Sequence, residues 1–347
     1  MSAERKLSVV DKKPNIVTFG GGTGSPLTHE ALFNTGNVES VNAIVTPFDS
    51  GGATGRRRHA ARGQEIAHSD PMRVLLSIST PNGNPKAREV MGRWFNSRHG
   101  VTDDVLGQAI MEHGFSTETA YKQVEDDLRD LGIHVRGRVL PASTEPSNIV
   151  FETKLGRSFK GEHKLDDQSM SADPVAKMWL TPEVAAFPDA LEAIKDSEII
   201  IFSTGSLYGS VLAPTLPGGM KEALRESSAP IYMITPMTST RNETHEFKPM
   251  DFADKVEEYA GRRPSGLIVP SMSQEEFVSK HPRAAELYAS EHSYFLGWKE
   301  RTLEDAEKDG LTIVTHDAMY IKAQEGAESV RHDPVKLAEA LKEILPK

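Results

Sequence analysis

The chain has 347 residues, 38% of them hydrophobic, with 27 Gly and 21 Pro, a profile of one large or two ordinary globular domains. Its 40 Lys and Arg against 50 Asp and Glu leave a formal charge of −10, which argues against an extended nucleic-acid surface but not against a local phosphate site. The lack of cysteine excludes disulfides, thiolate metal centres and a cysteine nucleophile, and no apolar run approaches the ~20 residues that a bilayer requires.

Residues 1–13 carry basic side chains but no apolar segment and are expected to form a flexible leader; the expected location is cytoplasmic. Asn15–Phe19 is a short, β-branched run that ends in Gly20-Gly-Gly-Thr-Gly24. Ser25–Phe33 follows with helical periodicity, and Pro26 suits a first helical turn. A second strand, Val41–Pro47, runs into Asp49-Ser-Gly-Gly-Ala-Thr-Gly55 and the basic stretch Arg56-Arg-Arg58. Strand, loop, helix, strand predicts a parallel sheet with buried strands.

Val74–Ile78 reads as a buried helix or the start of a strand, and residues 103–131 as two helices. Tyr121, Val124, Leu128 and Leu131 fall at core-facing spacing in the second. Residues 139–164 alternate as antiparallel strands and are expected to form a small β-rich insertion. Ala190–Asp196 is helical, Ile199–Ser203 is a buried strand, and Thr204–Ser210 is a third polar glycine loop. Ile231–Pro236 and Leu267–Pro270 read as further buried strands. Ser273 with Glu276 makes a capping-box start, Leu311–Val314 a strand, and Asp333-Pro334 opens a last amphipathic helix to Leu345. The expected fold is α/β: a Rossmann-like three-layer α/β/α arrangement with a mostly parallel sheet. A single large domain over 14–347 is expected, with 276–347 as a C-terminal extension closing the ligand site.

A glycine loop between a strand and a helix offers backbone N–H groups at a positive dipole end, so Gly20, Gly21, Gly22, Thr23 and Gly24 are candidates for gripping a phosphate. No GK[ST] follows, so this is not a P-loop, and Ser25 stands where GxGxxG needs its third glycine. A ligand-free βα turn remains open. Asp49, Gly51, Gly52 and Arg56 belong to the second loop, where a turn-forming Asp is the plainer reading and one or two arginines are expected to reach the ligand. Asp70 and Arg73 precede an apolar run. Asp70 could orient a ligand hydroxyl or a metal, or cap a helix, and spacing alone favours the cap. Gly205, Ser206 and Tyr208 in the third loop suit an anionic or sugar ligand no better than a plain connection. No GxSxG elbow is present, which disfavours a hydrolase triad. The 12 histidines show no ligand spacing, so no structural metal is expected.

Together Gly20–Gly24, Asp49–Arg56, Arg138-Val-Leu-Pro-Ala-Ser143, Gly161-Glu-His-Lys164, Thr204–Tyr208, Met237-Thr238, Glu243-Thr244 and Arg331-His-Asp333 resemble the CofD-like proteins. That family includes 2-phospho-L-lactate transferases of deazaflavin coenzyme synthesis and gluconeogenesis factors of the YvcK type. The Glu243-Thr244 and Arg331-His-Asp333 blocks resemble the YvcK-type branch. This resemblance implies a homodimer and a regulatory role in gluconeogenic growth and cell-wall precursor balance. It also implies a UDP-sugar ligand touched by Glu243, Thr244 and Arg331. The transferase branch would instead use Asp49 and Asp70 to position an acceptor hydroxyl or Mg²⁺. Ser50, Met72-Arg73 and Gln108 depart from the family pattern. A nicotinamide-dependent dehydrogenase ranks well behind both, on the imperfect glycine fingerprint.

Overall fold

The computed structural model describes residues 13–51, 54–55, 58–59, 66–81, 117–130, 132–166, 173–324 and 327–346. Arg56, Arg57, Arg62, Gly52 and the Gly107-Gln108 pair, like most of the leader, lie outside them.

Seven parallel strands form the central sheet. They are β1 (Ile16–Gly20), β2 (Val41–Val45), β5 (Gly137–Pro141), β9 (Ile199–Phe202), β10 (Ile231–Ile234), β11 (Gly266–Pro270) and β12 (Thr312–His316). Their order is β12-β11-β10-β9-β1-β2-β5. The chain winds outward through β1, β2 and β5, returns to β9 beside β1, and winds outward the other way. That is the doubly wound arrangement the sequence predicts, and it creates one reversal point, between β1 and β9.

The strands are short apolar runs because both faces are covered. On one face Ile16, Val45, Ile199, Ile201 and Ile268 pack against α1 (Gly24–Asn34), α2 (Ser69–Ile78), α3 (Thr117–Asp130) and α10 (Pro334–Ile344). On the other, Val17, Phe19, Phe202, Met233 and Leu267 meet α4 (Pro188–Lys195), α5 (Met220–Glu226), α6 (Pro249–Ala260) and α9 (Glu300–Lys308). Adjacent positions on one strand therefore serve different cores, as at Ile200 and Ile201.

A small antiparallel sheet, β7-β6-β8 (Ser158–Lys160, Asn148–Thr153 and Val175–Thr181), lies on the second face and contributes Ile149, Phe151, Met178 and Leu180 to its core. The expected insertion over 139–164 thus divides. Val139–Pro141 joins the main sheet as β5, and the small sheet takes its third strand from 175–181. Local alternation could not show this, since a short parallel strand and an antiparallel one look alike over three residues. Among the described residues there are also two two-stranded pieces: β3 (Ser79–Pro81) with β4 (Ile133–Val135), and β13 (Met319–Gln324) with β14 (Ala327–His332).

Helix starts follow sequence signals where those signals are local. Ser273 Oγ accepts the Glu276 amide at the head of α7 (Gln274–Lys280), and Asp333 Oδ1 accepts those of Val335 and Lys336 at the head of α10. Val74–Ile78 is helical, the last half of α2. The segment 276–347 supplies α8 (Pro282–Ser290) and the β13–β14 hairpin, but also edge strand β12 and helix α10, which packs against α1.

Candidate functional site

Open α/β sheets form a ligand crevice at the carboxyl ends of the strands that flank the reversal point. Here those strands are β1 and β9, with Phe19 stacked on Phe202 beneath the crevice at 4.9 Å between ring centroids. The loops leaving them, residues 20–24 and 203–210, are in direct contact. A Cβ on Gly24 would lie 1.7 Å from the Thr204 carbonyl oxygen, so only glycine permits this approach.

Asp70 reaches the first loop from α2. The N-cap residue of α2 is His68, so Asp70 sits in the first turn and its side chain is free to leave its own helix. It crosses to β1, where the Gly22 amide donates to Oδ2 at 2.6 Å, while Arg73 holds Oδ1 at 3.0 Å. A Cβ on Gly21 would come within 2.5 Å of the same carboxylate. Burial pushes the Asp70 carboxyl up to about 6; the Asp49 charge adds to the rise, and Arg73 and the Gly22 amide oppose it. In the structure the Gly22 amide of the glycine loop donates to a carboxylate of the chain itself.

Asp49 closes a turn on itself, with Oδ1 accepting from the Gly51 amide at 2.7 Å, while Oδ2 accepts from Ser69 Oγ at 3.1 Å. The plainer reading of Asp49 as a turn former thus describes one of its oxygens. Arg58, the described arginine of the basic stretch, is buried and donates to the carbonyls of Phe48, Asp49 and Ser147. It fastens this loop to the strand ends. All four oxygens of Asp49 and Asp70 accept from donors of the chain, and no group of three or more His, Asp or Glu that could hold a metal occurs among the described residues.

The β9 loop also receives a carboxylate. Glu243, 1% exposed in the segment after β10, accepts from Ser206 Oγ at 2.9 and 3.0 Å and from the Tyr208 amide at 2.8 Å. Ser206 Oγ in turn accepts the Gly209 amide and caps the π-turn Leu207–Leu212. Tyr208 therefore supplies its amide here; its ring lies in the core, edge-on to Tyr259, where burial raises its pKa. Thr244 is buried and accepts the Thr240 amide, closing the turn that carries Glu243. Arg331 lies on an exposed position of β14, paired with Tyr320 across the hairpin.

Several groups at the crevice carried no local signal. Thr46 Oγ1 and Ser203 Oγ, at the ends of β2 and β9, are buried without a hydrogen-bond partner among the described residues. Thr46 Cγ2 would be 2.9 Å from a Cβ on Gly21, and Ser203 Oγ 3.3 Å from one on Gly20. Ser50 Oγ lies 2.9 Å from His163 Nδ1, and Glu162 approaches Gly209. The Gly161-Glu-His-Lys164 block marked this segment in the sequence without placing it. Cavities of about 380 Å³, beside Thr240 and Arg241, and about 520 Å³, beside Met178 and Trp179, have no glycine-loop residue in their walls.

The doubly wound sheet, the two glycine loops and the residue blocks around them can be set beside known proteins. The profile of the family described as 2-phospho-L-lactate transferase CofD matches residues 16–341. The chain belongs to the CofD family. Among its relatives, a gluconeogenesis factor of Listeria innocua is 28% identical over 343 residues, 97% of either chain. The gluconeogenesis factor of Bacillus subtilis is 25% identical over 96% of this chain and 99% of its own. A crystal structure of a Bacillus halodurans protein superposes with a TM-score of 0.76 and 26% identity, covering 95% of this chain and all of that one. Among the described residues, no helix is long and apolar enough to cross a membrane.

Proposed function

We propose that this protein binds a nucleotide-sugar, of the UDP-sugar class, in the crevice between the β1 and β9 loops. Its role is regulatory, linked to gluconeogenic growth and cell-wall precursor supply, and the ligand is not turned over. The observation that carries the reading is the convergence of two glycine loops on one reversal point, lined by amides that attract carboxylates and by the buried hydroxyls of Thr46 and Ser203, which have no partner among the described residues. Such a crevice asks for a ligand with both negative charge and hydrogen-bonding oxygens. The regulatory side of the reading is supported by relatives that carry the name gluconeogenesis factor along their full length. Titration calorimetry with a panel of UDP-sugars tests it. Saturable binding with the ligand recovered intact is expected, and no binding by any of the panel removes the reading.

A second reading, a CofD-type transfer of a phospho-carboxylic acid from a nucleotide diphosphate, is favoured by Asp49 and Asp70 facing each other electrostatically at the ligand-side strand ends. In that case Asp49→Asn lowers turnover by orders of magnitude while urea denaturation stays nearly unchanged. Equal turnover in the variant removes this reading.

A further inference from the structure

We infer that the paired imidazoles of His316 and His332 form a proton-sensitive latch, which holds the β13–β14 hairpin and the head of α10 against the edge of the main sheet and releases them in mild acid. His316 is the last residue of edge strand β12 and His332 the last of β14. They are 6% and 3% exposed, and their ring centroids lie 5.3 Å apart at a tilt of 49°. The turn at Asp317 and Ala318 ties the neighbouring elements together. The Ser271 amide, after β11, donates to the His316 carbonyl at 2.8 Å, and the Asp333 amide to the Ala318 carbonyl at 2.9 Å. Lys336 of α10 reaches Asp317 Oδ2 at 3.1 Å. A change at this turn therefore reaches β12, the hairpin and the helix start at once.

The hydrogen bonds fix how a proton can enter. The Ala318 amide donates to His316 Nδ1 at 3.1 Å. An amide only donates, so Nδ1 keeps its lone pair and the neutral ring carries its proton on Nε2. A second proton would have to enter at Nδ1 and break that bond. Nε2 of each ring is buried with no hydrogen-bond partner among the described residues, so a cationic ring finds no acceptor there. The nearby charges do little to help. Asp317 favours a His316 cation but is shared with Lys336, and the His316 ring works against a cation on His332. Asp333 Oδ1 is taken up by the amides of Val335 and Lys336, and Arg331 is exposed. From β11, Pro270 and Ser271 bring no charge, and α8 meets β14 through the Tyr288 hydroxyl, which accepts the Val330 amide. Burial therefore pulls His316 down to about 4 and His332 well below its ordinary value. A released ring takes its proton near 6.5. The closed state is thus fully favoured above pH 6.5 and loses about tenfold per pH unit for each ring as pH falls from there towards 4.

Amide hydrogen–deuterium exchange of the full chain at pH 7 and pH 5, corrected for the intrinsic rates, reads the latch directly. Opening in peptides covering 317–324 and 327–336 should grow about 500-fold, about 25-fold from each ring, with a far smaller change in β9. His316→Asn keeps an acceptor for the Ala318 amide and takes no proton; His332→Leu keeps the site apolar. Each variant should cut the response to about 25-fold. A response in the hairpin and the α10 head no larger than in β9 overturns the inference, as does a full response in both variants. Exchange at the imidazole C2 carbons of the wild type, followed by mass spectrometry, decides the matter where a variant fails to fold. It should place both rings below about pH 5, and a titration near 6.5 for either ring overturns the latch.

Discussion

The two glycine loops at the reversal point each receive a buried carboxylate, and the two carboxylates are held in opposite ways. Glu243 accepts from a hydroxyl and a backbone amide of one short turn, and that hydroxyl also caps the turn, so these contacts fix the β9 loop in place. Asp70 accepts one amide of the β1 loop, leans on the half-exposed Arg73, and faces the charge of Asp49. One acid is a structural tie. The other is an anion whose burial costs it free energy, and on the proposed reading an anionic ligand would compete with it for the Gly22 amide. The same motif, a carboxylate on a loop amide, is thus buttressed by a second contact to its own loop on one side of the crevice and burdened by burial and a neighbouring charge on the other.

Four substitutions sharpen or break this contrast, taken from the largest effect downward. Gly24→Ala puts a methyl group 1.7 Å from the Thr204 carbonyl and forces the two loops apart; a loss of about 3 kcal/mol in urea denaturation is expected. Glu243→Ala leaves the buried Tyr208 amide unsatisfied and removes the acceptor of the part-buried Ser206 hydroxyl, and should cost about 2 kcal/mol in the same measurement.

Asp70→Asn has the opposite sign. The folded carboxyl titrates at about 6 against 3.8 when unfolded, so the native state holds its proton more tightly. Its contribution to stability is greatest below pH 3.8 and is lost as pH rises through 6. The neutral variant escapes that loss and keeps an acceptor for Gly22, so near pH 7 it should gain on the order of 1 kcal/mol and show a flatter profile between pH 4 and 6. Chemical denaturation across that range reads it, and a large loss of stability at pH 7 would make Asp70 a tie like Glu243. Smallest is Ser273→Ala, which removes the cap of α7 for about 1 kcal/mol and leaves nucleotide binding unchanged by calorimetry.

The fold was legible because its signals are local. Buried strands such as Ile199–Phe202 announce themselves as apolar runs, and Ser273 and Asp333 sit within three residues of the amides they cap. The site was legible only as a set of loops. Its decisive pairs join distant residues: Gly22 with Asp70, Ser206 with Glu243, Ser50 with His163. Spacing cannot reveal such pairs, because the folded sheet alone brings them together. Asp70 shows the cost of local reasoning. Read by position it caps a helix, whereas His68 holds that place and releases the acid to the neighbouring strand. Arg58 adds a role that spacing does not show: its side chain fastens the loop by donating to backbone carbonyls, while Arg56, the member of the cluster expected at the ligand, lies outside the described residues.

The most direct test is amide hydrogen–deuterium exchange of the protein with and without a saturating UDP-sugar. The account predicts slowed exchange in the peptides covering Gly20–Ser25 and Thr204–Ser210, while the Ser273–Lys280 helix stays unchanged. Unaltered exchange in both loops would contradict it.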